Sequence, residues 1–269
     1  MKKSVGDLMH RGLISCRTST TLGQVATLLT EHHVHALIVS DRDGRPAGVI
    51  SDFDLLAGEW LSTDEASLAT MRRLTAGDLM TTPIDMIEAD VPAHVAAHRL
   101  VDEGISRLLV TEKGKPAGIV SISDFVASLA ETQAVKRETV EDVMSRAMLV
   151  CRQETPIVAV ARIMTSAHFR SVIVVDDNGK PLGVASGLDL LSFCSEEGCH
   201  NVPVVQAMHD ALTIHPTATL REAATLMIEK HHHRLVVVDP EHPESIPLGV
   251  ISSFDIVAQM AQPGSVWQT

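Results

Sequence analysis

The chain contains no tyrosine, and aromatic residues of any kind make up 3% of its 269 positions. Its core must therefore come from Val, Ile, Leu, Ala and Met, which favours small layered α/β units over aromatic-rich all-β folds. Cysteine is also scarce: four residues do not make a disulfide framework. The opening stretch MKKSVGDLMHRG lacks the apolar segment of a secretory signal, so a reduced, cytoplasmic protein is expected. No window approaches the roughly 18 uninterrupted apolar residues of a membrane span. Positive charge is in deficit, with 22 Lys and Arg against 34 Asp and Glu and a net charge of −12. That balance excludes broad nucleic-acid binding, which needs basic surface to displace counterions from phosphates. An anionic ligand has to be held by locally placed cations and backbone N–H groups. Gly-rich phosphate loops of the Walker or dinucleotide type are missing, and no nucleophile–His–acid arrangement is readable.

What is present in quantity is repetition. The stretch GVISDFDLL from Gly48 is echoed by GIVSISDFV from Gly118, GVASGLDLL from Gly183 and GVISSFDIV from Gly249. A second marker, a Met four or five residues into each unit, recurs at Met9, Met80, Met144 and Met208. These anchors divide the chain into repeats at residues 5–60, 75–130, 140–195 and 204–260. Little chain remains for a separate catalytic domain, so no enzyme is expected.

Each repeat follows one plan. An Asp/Gln-x-Met turn leads to a brief apolar strand and then a helix with apolar residues at i, i+3, i+4 and i+7. These are Leu22, Val25, Ala26 and Leu29 in the first copy, and Leu220, Ala223, Ala224 and Met227 in the fourth. That spacing predicts a helix with one buried face. A β-branched strand follows, then hairpin turns at Asp41–Gly44, Glu112–Gly114 and Asp176–Gly179, rich in residues that accept positive φ. The fourth copy has a longer loop over 240–247. The quoted strand then runs into a second short helix.

Ser-x-x-Asp at that junction has two readings. It is a helix N-cap, with Ser taking a backbone N–H and Asp favouring the positive end of the dipole. In the second, the same helix N-terminus is an anion site, where Ser faces a phosphate and Asp accepts ribose hydroxyls.

The strand–helix–strand–strand–helix unit of about 60 residues, ending Gly-h-h-Ser-x-x-Asp, resembles the cystathionine β-synthase (CBS) domain. The resemblance implies an α/β (α+β) chain of four β-α-β-β-α repeats paired into two pseudo-twofold Bateman modules, at 1–134 and 135–269. It also implies a regulatory ligand in their clefts: AMP, ADP or ATP, with or without magnesium, or S-adenosylmethionine. Carried over residue by residue, the ribose carboxylates are Asp54, Asp124, Asp189 and Asp255. The phosphate or ribose hydroxyls are Ser51, Ser121, Ser186 and Ser252. A polar base-pocket position on the first strand falls on Ser15 and Thr213, but on Met86 and Val150 in the middle repeats. One good site per module is therefore expected, around Asp54 and Asp255.

The basic residue that the family often carries just before the motif Asp is replaced by Phe53, Ser123, Leu188 and Phe254. Compensating charge is expected at the entrance of the second strand, from Arg234 with His233, from Arg107, and from Arg170 one residue out of register. The resemblance suggests a sensor that signals to a protein effector, with homodimerisation as one arrangement. A scaffold or dimerisation protein with degenerate clefts is the alternative, and a metal-binding protein a third reading.

Other clusters have plainer readings. His231-His232-His233 sits where imidazolium complements a helix C-terminus, and Cys16 and Cys151 are small apolar strand residues. Cys194, Cys199 and His200 offer metal ligands without a standard zinc spacing. Residues 58–74, with Ala66, Met71 and Leu74, suggest an amphipathic linker helix. The charged stretch 130–139 is a candidate hinge.

Overall fold

A computed structural model describes residues 3–57, 61, 64–131, 138–193, 202–242 and 244–262. Most of the 130–139 stretch, together with Cys194, Cys199 and His200, lies outside them. The first repeat runs α1 (Val5–Leu8), β1 (His10–Arg11), β2 (Ser15–Arg17), α2 (Leu22–Glu31), β3 (Ala36–Ser40), β4 (Pro46–Ser51) and α3 (Asp52–Ala57). The linker helix is α4 (Glu65–Met71), and its Met71 is buried. The second repeat has α5 (Ala76–Leu79), β5 (Met86–Glu88), α6 (Ala93–Asp102), β6 (Arg107–Glu112), β7 (Lys115–Ser121) and α7 (Ile122–Ala130). In the third come α8 (Val140–Val143), β8 (Val150–Arg152), α9 (Ile157–Ser166), β9 (Ser171–Val175), β10 (Pro181–Ser186) and α10 (Gly187–Phe193). The fourth opens with a 3-10 turn at Val204–Gln206. It continues through β11 (His209–Asp210), β12 (Thr213–Ile214), α11 (Leu220–Glu229), β13 (Arg234–Val237), β14 (Gly249–Ser252) and α12 (Ser253–Met260).

The expected helices form where the apolar period places them, with Leu22, Val25 and Leu29 buried on α2 and Leu220, Ala223, Ala224 and Met227 on α11. Thr21 with Gln24 and Thr219 with Glu222 cap those helices reciprocally, satisfying backbone donors that the first turn leaves over. The helices stop alike: His33, His168 and His231 take positive φ just past their ends, and Gly104 does so in the second repeat. Gly44, Gly114 and Gly179 carry the positive φ of the hairpin turns.

In every repeat the first strand pairs parallel with the middle strand, and the middle strand pairs antiparallel with the last. The sequence reading missed what covers the last strand. The Asp/Gln-x-Met segment is a helical turn rather than a plain turn. The residues after it do not join their own repeat's sheet. β1 pairs with β7 of the second repeat, and a bridge from Thr81 returns to Val49 of the first. Likewise β11 pairs with β10, and Ser145 bridges to Val250. Repeats 1 and 2 thus exchange lead-in segments, as do repeats 3 and 4.

This exchange explains the repeated Gly and Met. A Cβ on Gly48 would lie 2.6 Å from the Thr81 carbonyl oxygen and 2.7 Å from Met80 Sδ. On Gly249 it would lie 2.6 Å from the Ser145 carbonyl oxygen. At Gly118 and Gly183 the carbonyl oxygens of His10 and His209 crowd the same place. Only glycine admits the crossing backbone.

The chain forms two compact units. One comprises Met1–Leu13, Asp85–Ala147 and Leu212–Thr269, and the other Ile14–Ile84 and Met148–Ala211. In the first, α7 packs on α11 and α12 around Leu100, Phe125, Leu129, Met227 and Ile256. In the second, α3 packs on α9 and α10 around Leu22, Leu29, Leu55, Ile157 and Leu190. Each wholly buried aliphatic or Phe side chain in these cores contributes about 1.5–3 kcal/mol. Among the described residues, no helix is long and apolar enough to cross a membrane.

Candidate functional site

The four Ser-x-x-Asp motifs sit at the junction of the last strand with the last helix of each repeat, and their local geometry is nearly the same. Ser51 N and Oγ both donate to Asp54 Oδ2, at 2.8 and 2.7 Å. The corresponding pairs measure 2.7 and 2.8 Å at Ser121–Asp124, 2.7 and 2.6 Å at Ser186–Asp189, and 2.8 and 2.6 Å at Ser252–Asp255. The capping reading therefore holds in all four copies. Two donors fix one carboxylate oxygen in each, which leaves Oδ1 as the only oxygen with a fixed direction and remaining acceptor capacity.

What meets Oδ1 divides the repeats. His10 Nδ1 lies 2.6 Å from Asp124 Oδ1, and His209 Nε2 lies 2.6 Å from Asp189 Oδ1. Both histidines arrive on exchanged lead-in strands. Among the described residues, no donor meets Oδ1 of Asp54 or Asp255, whose Ser donors both lie on Oδ2. Sequence reasoning missed His10 and His209. The signal was the residue after each marker Met: His10 and His209 in two copies, Thr81 and Ser145 in the others.

The four first-strand positions are equivalent in register. Ser15 pairs with Ile38 and Thr213 with Val236, while Met86 and Val150 take the same place opposite Leu109 and Ile173. All four side chains are exposed, including the apolar Met86 and Val150.

Of the expected cations, Arg107 lies directly across the hairpin from Ser121, and Arg234 across from Ser252. Cross-strand neighbours have Cβ atoms about 4.5–5.5 Å apart, so both guanidinium groups start beside a motif Ser. Ala36 and Ser171 fill that position opposite Ser51 and Ser186. Arg170 is placed differently: its guanidinium stacks over the Phe53 ring at 5.4 Å from the centroid, a cation–π contact. His233 Nδ1 similarly approaches Ser123 Oγ at 3.4 Å.

The residues standing before the motif Asp thus serve packing. Phe53 receives Arg170 and Ser123 receives His233, while Leu188 is core and Phe254 packs against core. A second carboxylate, Asp52, is buried beside Asp54 and accepts from His35 Nδ1 at 2.9 Å. Its neighbour is Gly187, where a Cβ would come 3.2 Å from Asp52 Oδ2.

Of the other candidates, the two cysteines lie on first strands. Cys16 is buried, and the Cys151 thiol is pushed up to about 11 by burial, which makes both unreactive at neutral pH. No group of three His, Cys, Asp or Glu side chains suited to a metal occurs among the described residues.

Comparisons with known proteins bear on the repeats and the fold. The CBS domain family matches four times, at residues 5–59, 76–131, 140–196 and 204–262. An uncharacterized protein of Methanocaldococcus jannaschii is 25% identical over 194 residues, covering 71% of this chain and 43% of its own length. One from Methanopyrus kandleri is 28% identical over 127 residues, or 46% of this chain and 61% of that protein. The chain thus spans about half the length of these curated relatives. Among solved structures, one from Methanocaldococcus jannaschii superposes with a TM-score of 0.81 at 16% identity, covering 95% of this chain and 99% of that one. It is described as a candidate archaeal homolog of g-AMPK.

Proposed function

The chain belongs to the CBS-domain family, and on that premise we propose that it is a non-catalytic sensor of adenine nucleotides or related adenosyl compounds. The observation that carries this reading is the locked motif carboxylate. With Oδ2 held by its own Ser, Asp54 or Asp255 presents Oδ1 in a fixed direction, suited to the vicinal hydroxyls of a ribose. Arg234 beside Ser252 adds a cation for phosphate, which a guanidinium binds bidentately. The base falls to the face of Ser15 or Thr213. Ligand binding that favours one arrangement of the repeats shifts the population toward it, and a protein effector reads the result. The reciprocal exchange of lead-in segments supports grouping the repeats as 1–134 and 135–269. We place the protein in the cytoplasm.

A scaffold with degenerate sites is the second reading. It is favoured by Phe53, Ser123, Leu188 and Phe254, which put packing where the family often puts charge.

A thermal-shift panel separates the two readings. It would contain AMP, ADP, ATP with and without magnesium, S-adenosylmethionine and GTP, applied to protein cleared of carried-over nucleotide. A ligand at about 100 times its dissociation constant adds about 2.7 kcal/mol to the state that binds it, which is a shift of several degrees. Adenosine-selective stabilisation is expected. A flat panel would establish the scaffold reading instead.

A further inference from the structure

The carboxylates of the second and third repeats are already engaged by the chain itself. We propose that His10 and His209 are gates that withhold Asp124 and Asp189 from ligand and confine occupancy to Asp54 and Asp255. The proposal rests on the reading of the motif as a ribose site.

Three observations converge on it. The first is register. Thr81, His10, His209 and Ser145 pair with Val49, Ile119, Val184 and Val250, each one residue after the motif glycine. The four side chains are therefore launched from one equivalent position, and only their length and chemistry differ. The imidazoles span the gap to the carboxylate, at 2.6 Å in both copies. The shorter Ser145 hydroxyl turns instead to the Ala147 carbonyl, at 2.9 Å.

The second observation is which oxygen is taken. Oδ2 is spent on the cap in every copy, so His10 and His209 take the one remaining oxygen that a ribose hydroxyl would need. The Asp124 side chain keeps only 3% of its surface exposed. A ligand can reach either carboxylate only by displacing a charge-assisted contact of the shorter, stronger kind.

The third is independent of the histidines. The two gated repeats are also those with Met86 and Val150 at the first-strand position, where the ungated repeats have Ser15 and Thr213. Two unrelated positions sort the four repeats in the same way.

The gates are built to be removable. The His10 and His209 side chains are 83% and 60% exposed, so replacing them disturbs no core.

The test counts AMP bound per chain, by equilibrium dialysis and calorimetry. It compares the natural chain with a double variant, His10→Thr with His209→Ser, which installs the residue types of the ungated repeats. We expect the variant to gain two sites, each at least about tenfold tighter than in the natural chain, the worth of one hydrogen bond to a charged group. Adding Asp124→Ala and Asp189→Ala should remove the gained sites and no others. An unchanged count in a folded variant, or four sites in the natural chain, overturns the proposal. If the double variant does not fold, His209→Ser alone should gain one site.

A ligand-free measurement separates failure of the gate from failure of the sensor reading. An ionised carboxylate only accepts, so His10 must carry its proton on Nδ1, which nitrogen NMR reports directly. A natural chain that binds no AMP yet shows Nδ1–H at His10 defeats the ligand assignment and upholds the gate contact. The Nε2–H tautomer defeats the gate.

Discussion

Asp54 and Asp255 on one side, and Asp124 and Asp189 on the other, occupy identical caps and differ in what the outer carboxylate oxygen meets. All four motifs spell the same letters and make the same Ser hydrogen bonds. The difference comes from a strand that belongs, by chain order, to another repeat. A motif that is intact within its own 60 residues can thus be engaged or open depending on a residue about 110 positions away in one case and 20 in another. Counting Ser-x-x-Asp copies counts caps; the lead-in residue sorts them by what the outer oxygen meets.

The carboxylates carry the largest expected effect. Asp54→Ala and Asp255→Ala should each weaken AMP binding at their own site by about 10- to 100-fold, since a hydrogen bond to a charged acceptor is worth about 1.5–3 kcal/mol. Asp124→Ala and Asp189→Ala should leave titrations by calorimetry nearly unchanged. Equal losses at all four would dissolve the distinction.

Next in size is the strand crossing that delivers the gate. Gly118→Ala drives a Cβ into the His10 carbonyl, where neither backbone can yield without losing ladder bonds. Forcing extra atoms into packed structure costs typically 1–3 kcal/mol, which urea unfolding would read. The β1 edge should also lose hydrogen-exchange protection.

The arginines give a smaller contrast. Arg234→Gln should raise the dissociation constant for ATP more than that for adenosine, because the guanidinium is assigned to phosphate. Arg107→Gln, beside the gated Asp124, should change neither. Smaller again is the cap itself: Ser252→Ala should cost about 1 kcal/mol of stability.

The smallest effect is with pH. Backbone and side-chain bonds from Thr75 and Thr139 hold the Asp78 and Asp142 carboxyls below their ordinary value, as Thr219 does for Glu222 and Ser4 for Asp7. Groups depressed in the folded state contribute stability above their unfolded values, 3.8 for Asp and 4.5 for Glu, and lose it as pH falls through the folded values. A urea midpoint followed from pH 6 to pH 3 should therefore decline below about pH 4.5. Asp78→Asn with Asp142→Asn should flatten that decline slightly, since exposed groups give little. A steeper acid loss unaffected by these substitutions would place the titrating groups elsewhere.

The same Ser/Thr-x-x-acid spelling at Ser4–Asp7, Thr75–Asp78 and Thr139–Asp142 shows how far the sequence was legible. Those boxes cap the lead-in helical turns, yet their regular Asp-x-Met endings read as plain turns. Four-residue helices are too short for apolar periodicity to register. The longer helices α2, α6, α9 and α11 were legible because three turns of burial repeat the period, and the hairpins because a Gly in each turn takes positive φ. Arg170 was readable only as a cation near a site. That it lies on Phe53 depends on how α3 meets the third repeat, which no local spacing encodes.

Local chemistry therefore settled the repeats, their longer helices, their core strands and the Ser-x-x-Asp caps, because each depends on residues a few positions apart. Tertiary structure decided which segments crossed, why Gly48, Gly118, Gly183 and Gly249 had to lack a side chain, and which carboxylates met a histidine. Those outcomes depend on backbones brought together across sequence separations that a periodic pattern does not span.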